Sequence, residues 1–201
     1  MEETSKKDIK CIACLGDSNT YGYDPQSLFG GRYPKEVRWT GRLKTAGYTV
    51  YNFGQNGLAV SRRAVHGLLT QELLAGQQDL VCVMLGSNDL LLGLSLEECT
   101  QAMRELIERL KEIKAAPYFL LIAPPPFRVG VWVSDPEQIH QSGRLPDFYR
   151  RLAEEEQVLF ADAGEWNIPL AYDGVHFTPE GHEIFAKQLA KLLRQQEDQN
   201  E

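Results

Sequence analysis

Short, nearly continuous apolar runs recur along this chain, separated by stretches whose apolar residues return every three or four positions. That alternation leaves few folds open. Residues 11–15, 80–85 and 118–123 are runs of the first kind; they are strand-sized and apolar on both sides, as strands covered on both faces are. Weaker strands are expected over Tyr48–Phe53 and Val158–Ala161. The clearest helical stripe is Cys99, Met103, Leu106, Leu110 and Ile113, entered through Ser95 with Glu98 completing a capping box. A shorter helix should start near Ser61 and carry Val65, Leu68, Leu69 and Leu73 on one face. The last should have Thr178 as its N-cap and Pro179 in its first turn, and run to about Arg194. Five strands alternating with helices imply an α/β fold with a five-stranded parallel sheet and right-handed crossovers.

A chain of 201 residues with 43% hydrophobic content suits one well-cored domain. We place that domain at 9–194, after a flexible N-terminus (1–8) and before a frayed polar tail (195–201). The balance of 21 basic and 28 acidic residues, net −7, argues against nucleic acid or an anionic membrane surface as partner. No apolar signal region opens the chain and no stretch reaches membrane-spanning length, so a cytoplasmic protein is expected. The number of subunits stays open, a homo-oligomer included. Cys11 and Cys14 have redox or zinc spacing, but inside a strand a spacing of three sends them to opposite faces, and no second pair completes a site. With Cys82 and Cys99 they read as free thiols.

Polar residues collect where the strands end, which is where open α/β sheets bind ligands. Gly16-Asp17-Ser18-Asn19 follows the first strand, Asn52 to Gly57 the second, Gly86-Ser87-Asn88-Asp89 the third, and Pro124-Pro125-Pro126-Phe127 the fourth. Asp173 and His176 come after the fifth, just before the last helix. A serine hydroxyl needs a base to act as a nucleophile at neutral pH, and His176 can serve Ser18 in that role. Asp173 reaches the other ring nitrogen if Asp-x-x-His forms a turn, fixing the tautomer and stabilising imidazolium. The oxyanion of an acyl-transfer intermediate needs donors; the N–H groups of Ser18 and Gly57 and the Asn88 amide supply three, with glycine at 57 allowing close backbone approach. Asp89 is expected to support this set from behind. No histidine pair has the helical i, i+4 spacing of a zinc site, so no metal is expected.

These blocks resemble those of the SGNH hydrolases, the GDSL esterase and lipase family, over about Ile9 to Leu193. They are Gly-Asp-Ser-Asn at 16–19, Asn-x-Gly-x-x-Gly at 52–57, Gly-x-Asn-Asp at 86–89 and Asp-x-x-His at 173–176. The resemblance implies a flavodoxin-like three-layer α/β/α fold and hydrolysis of esters or related acyl bonds without a cofactor. It implies catalytic roles for Ser18, Asp173 and His176 and oxyanion roles for Ser18, Gly57 and Asn88. Gly22-Tyr23-Asp24-Pro25, Val37-Arg38-Trp39-Thr40-Gly41 and the three prolines look like the arylesterase and acyltransferase branch. That branch commonly carries tryptophans where this chain has Tyr21 and Tyr23, and leucine where it has Asn19. These three residues are therefore expected at the substrate mouth.

The expected partner is a small-molecule ester carrying a short acyl group. A lysophospholipase or thioesterase with a longer acyl channel is the alternative within the same chemistry. A flavodoxin-like sheet with Ser18 and Thr20 after strand one also fits a bound flavin phosphate, but that reading leaves Asp173 and His176 without work.

Overall fold

All five apolar runs form strands, each within about a residue of its expected bounds. They are β1 (Cys11–Gly16), β2 (Thr49–Gly54), β3 (Leu80–Met84), β4 (Tyr118–Ala123) and β5 (Leu159–Asp162), in a computed structural model that describes residues 9–27, 29–62, 76–113 and 118–198. They pair in parallel in the order β2-β1-β3-β4-β5, with Cys14 opposite Asn52 on one side and Cys82 on the other. This is the flavodoxin-like order, and its topological switch point falls between β1 and β3.

Six helices accompany the strands among the described residues: α1 (Ser18–Tyr21), α2 (Trp39–Thr45), α3 (Ser87–Leu91), α4 (Leu96–Ile113), α5 (Pro136–Glu155) and α6 (Pro179–Asp198). Strand residues point alternately to opposite faces, which builds two cores. Ala13, Leu15, Val81, Val83 and Leu121 meet α4 and α5 on one face. Ile12, Cys14, Leu80, Cys82 and Leu120 meet α2 and α6 on the other. The result is three layers. Among the described residues no helix is long and apolar enough to cross a membrane.

Local chemistry sets the helix bounds. The Ser95 N–H donates to Glu98 (2.8 Å) and the Glu98 N–H to Ser95 Oγ (3.2 Å), so the capping box closes in both directions. Cys99, Met103, Leu106 and Leu110 are fully buried, and truncating a leucine such as Leu110 to alanine should cost ~2–5 kcal/mol. Thr178 Oγ1 accepts from the Gly181 N–H at 3.0 Å and starts α6, which continues to Asp198, about a turn beyond the expected end. Helix α5 was not anticipated, because Gly143 and Pro146 interrupt its pattern. Its start is nonetheless marked: Asp135 Oδ1 accepts from the Glu137 N–H at 2.9 Å, and Pro136 opens the first turn. Val65, Leu68, Leu69 and Leu73, the face of the helix expected from near Ser61, lie outside the described residues.

Candidate active site

Ser18 is the first residue of a single helical turn. Asp17 caps that turn by accepting the Asn19 N–H at 2.9 Å, and Gly22 closes it in the left-handed region (φ 90°), donating to the Ser18 carbonyl at 2.8 Å. The turn follows directly on β1 and holds the Ser18 hydroxyl within reach of His176. Burial pushes the Asp17 carboxyl up to about 6, although the Asn19 N–H and the nearby His176 pull it the other way.

The Asp-x-x-His turn forms as expected. Asp173 Oδ1 accepts the N–H groups of Val175 and His176, both at 2.9 Å, and Oδ2 lies 2.7 Å from His176 Nδ1. On the far side of the ring, Nε2 lies 2.8 Å from Ser18 Oγ. Burial alone would raise the Asp173 carboxyl; the imidazole bond and the two backbone N–H groups outweigh it and hold the group below the usual carboxylate range. An ionised carboxylate only accepts, so Nδ1 carries the ring proton and Nε2 is left to accept from Ser18.

Across from this pair, the Asn88 amide spends one hydrogen on the Leu58 carbonyl at 3.0 Å and keeps the second. Asp89 is fully buried and takes the N–H groups of Val60 and Ser61, both at 2.9 Å. Together they clamp the loop after β2, which carries Gly57, onto α3. Glycine at 57 is required by its φ of 70°; a Cβ there would meet nothing within 4 Å. The close approach expected at that position is therefore not to protein atoms, and the open space belongs to the cavity.

That cavity holds about 190 Å³ and is lined by Ser18, His176, Gly57 and Asn88 together with Tyr23 and Trp132. Tyr23 and Trp132 pack on two sides of the His176 ring, with centroids 4.7 and 4.8 Å away. Two of the three residues expected at the mouth are elsewhere. Asn19 is only 3% exposed; its side chain donates to the Val175 carbonyl (3.1 Å) and accepts the Phe177 N–H (2.9 Å), strapping the His176 segment to α1. Trp39 Nε1 donates to its carbonyl at 3.0 Å, so the tryptophan both packs and bonds. Tyr21 lies under the Arg32 guanidinium, 4.2 Å from its ring centre, and does not line the cavity. Trp132, Asn56, Leu91 and Val175 line it and were not foreseen. Trp132 is held by its backbone: its N–H donates to the Asp173 carbonyl (3.2 Å) and that of Val131 to the Tyr172 carbonyl (3.1 Å). Among the described residues, no cluster of His, Cys, Asp and Glu is suited to a metal ion.

A family model described as GDSL-like Lipase/Acylhydrolase matches residues 14–184. No curated protein matches the chain in sequence. Solved structures do. A candidate arylesterase from Agrobacterium tumefaciens is 31% identical with a TM-score of 0.81, covering 93% of this chain and 99% of that one. The native aryl esterase of M. smegmatis is 26% identical at TM-score 0.81, covering 92% and 99%. A carbohydrate acetylesterase from Sinorhizobium meliloti is 25% identical at TM-score 0.80, covering 92% and 98%. The chain belongs to the GDSL-like lipase/acylhydrolase family and is a carboxylic ester hydrolase.

Proposed function

We propose that this esterase removes small acyl groups, acetyl above all, from an alcohol, aryl or carbohydrate leaving group through a covalent acyl-serine. The observation that carries the reading is the run of two short contacts, Ser18 to His176 (2.8 Å) and His176 to Asp173 (2.7 Å), opening into a small cavity shared with Gly57 and Asn88. Ser18 Oγ attacks the acyl carbon while its proton passes to His176 Nε2. Asp173 holds the ring and stabilises the imidazolium. Negative charge develops on the carbonyl oxygen and is met by the N–H groups of Ser18 and Gly57 and by the free amide hydrogen of Asn88. His176 then gives the proton to the departing oxygen. A water enters, loses a proton to the same nitrogen, and releases the acid.

The cavity supports the acyl size. Its 190 Å³ is little more than the ~150 Å³ of an apolar cavity that holds one benzene, room for a tetrahedral centre with an acetyl group and the first atoms of the leaving group. The similar carbohydrate acetylesterase and aryl esterases point to sugar and aryl leaving groups.

Fluorophosphonate labelling and a p-nitrophenyl ester series test both halves. Ser18→Ala should lose the label and fall to near-background turnover while keeping its fold. Labelling of that variant at another serine defeats the nucleophile assignment. In the wild type, kcat/KM should fall with acyl length; a rise past octanoyl defeats the small-acyl reading and favours a lysophospholipase or thioesterase.

A further inference from the structure

In a chain of net charge −7, one cleft gathers cations. It lies where α2 meets the edge strand β2, holds about 500 Å³, and is lined by Lys35, Arg38 and Lys44 with a single carboxylate, Glu36. Glu36 and Lys35 face each other at 3.9 Å, both largely exposed, a weak pair. Neither Arg38 nor Lys44 makes an ion pair among the described residues, although the Glu36 charge acts on Arg38. A second guanidinium, Arg32, stands close by, and burial together with the Arg38 charge holds it below its usual value.

Arg38 is the unusual member. Its Nε is buried and has no hydrogen-bond acceptor. With Nε enclosed, the part of the side chain left to meet a ligand is the pair of terminal guanidinium nitrogens, which make no hydrogen bond among the described residues. The wall that carries it is also tightly built. A Cβ on Gly41 would stand 1.7 Å from the Lys35 carbonyl oxygen, so only glycine there lets the 35–36 segment close onto α2. A Cβ on Gly22 would stand 2.3 Å from Arg38 Cδ, so the arginine stem rests directly on backbone. Thr40 is buried beside it; its oxygen accepts from Asn52 Nδ2 at 2.9 Å, leaving the hydroxyl hydrogen to donate.

We propose that this cleft is a binding site for a phosphate group, separate from the ester cavity. A preplaced guanidinium with two ammonium groups and a hydroxyl matches a compact dianion with several acceptor oxygens. The volume exceeds that of phosphate alone and leaves room for a sugar-sized body, so the group arrives either as free phosphate or as the monoester of a small metabolite.

Calorimetric titration at constant ionic strength tests this with inorganic phosphate, glucose 6-phosphate, glucose and citrate. Both phosphate probes should bind and glucose should not. Tighter binding of the sugar phosphate identifies the monoester as the source, and equal binding identifies free phosphate. Arg38→Gln and Lys44→Gln should each weaken binding about tenfold, the loss of one charge-assisted bond. Glu36→Gln should tighten it, a gain that misfolding does not produce. Lys44 is exposed and makes no ion pair among the described residues, so its variant should keep wild-type turnover of p-nitrophenyl acetate, which certifies the fold. The proposal is overturned by no saturation at millimolar phosphate, by affinity unchanged in Lys44→Gln, or by citrate binding in preference to both phosphates.

Discussion

His176 and His182 stand six residues apart and are almost equally hidden, 2% and 0% exposed. Each also packs against two aromatic rings: Tyr23 and Trp132 for the first, at 4.7 and 4.8 Å, and Tyr33 and Phe177 for the second, both at 5.4 Å. The difference is a carboxylate. His176 Nδ1 faces Asp173 at 2.7 Å, whereas His182 Nδ1 accepts the Trp39 N–H at 3.4 Å and its Nε2 has no partner. Burial, with the charges of Arg42, Arg38 and His176 adding to it, pushes His182 down to about 3. Burial and cationic neighbours thus hold His182 neutral at neutral pH, whereas the His176 ring has a carboxylate to bond.

The strongest way to break this comparison is to take the carboxylate away. Asp173→Asn leaves the turn's shape but removes the charge and presents an amide to Nδ1, putting His176 in surroundings like those of His182. Under the proposed mechanism kcat for p-nitrophenyl acetate should fall by about 10³–10⁴, since both the tautomer and the imidazolium lose support. A fall of less than about tenfold means that Asp173 only shapes the turn.

Removing the proposed oxyanion donor while sparing the proposed base comes next. Asn88→Ala should lower kcat by about 10²–10³ and move KM little, because the oxyanion develops mainly in the transition state. The pH at half-maximal rate should stay where it is in the wild type, since the His176 pair is untouched. A change confined to KM reassigns Asn88 to ground-state binding.

The inert histidine has its own signature, in stability. A group depressed from an ordinary value of 6.5 to about 3 binds more protons unfolded than folded between those limits, so its contribution is present above pH 6.5 and is lost as pH falls. Asp17, raised from 3.8 to about 6, acts the opposite way between those two values, where stability declines as pH rises. The wild-type curve therefore nets two opposed slopes. His182→Gln removes one of them, and the difference between the two proteins isolates it. Relative to wild type, the variant should gain stability on acidification from pH 6.5, by up to about 1.4 kcal/mol per pH unit. Denaturant titrations across that range measure it, and a constant difference at every pH shows that His182 titrates alike in both states.

Ser18, Asn88, Asp173 and His176 were legible because each stands in a short motif at the end of a readable strand, and the parallel sheet brings strand ends together. What stayed hidden depended on direction or on distant pairing. Asn19 follows Ser18, but neighbours on a helical turn point about 100° apart, so it faces the core side of the rim. Tyr21 is claimed by Arg32 from a loop eleven residues on, whose Nε also donates to the Tyr21 carbonyl at 2.6 Å. Trp132 reaches His176 through bonds between the 128–133 and 171–174 segments, a pairing that no local pattern announces. Helix α5 was lost to Gly143 and Pro146, although Asp135-Pro136 signalled its start.

The remaining difference between the two histidines is that the rings around His176 face the cavity. Trp132 is 52% exposed, and Tyr23 touches both it and the imidazole, with the two ring centres 6.4 Å apart. In place of Tyr21, these two residues bound the space beside Ser18. Trp132→Ala removes a wall without removing a hydrogen bond, because the segment is fixed by backbone N–H groups that alanine retains. Butyrate and hexanoate should gain on acetate by about tenfold in kcat/KM, the usual worth of a methylene or two of pocket contact. The Asp173–His176 pair should hold, so acetate turnover should change less than in either preceding active-site variant. An unchanged chain-length profile, measured with p-nitrophenyl esters from acetate to octanoate, places the acyl chain on the Asn56 and Leu91 side of the cavity and leaves Trp132 to the leaving group. Equal losses for every ester mean instead that the tryptophan's work is to hold His176, and that its packing matters to the base more than to the substrate.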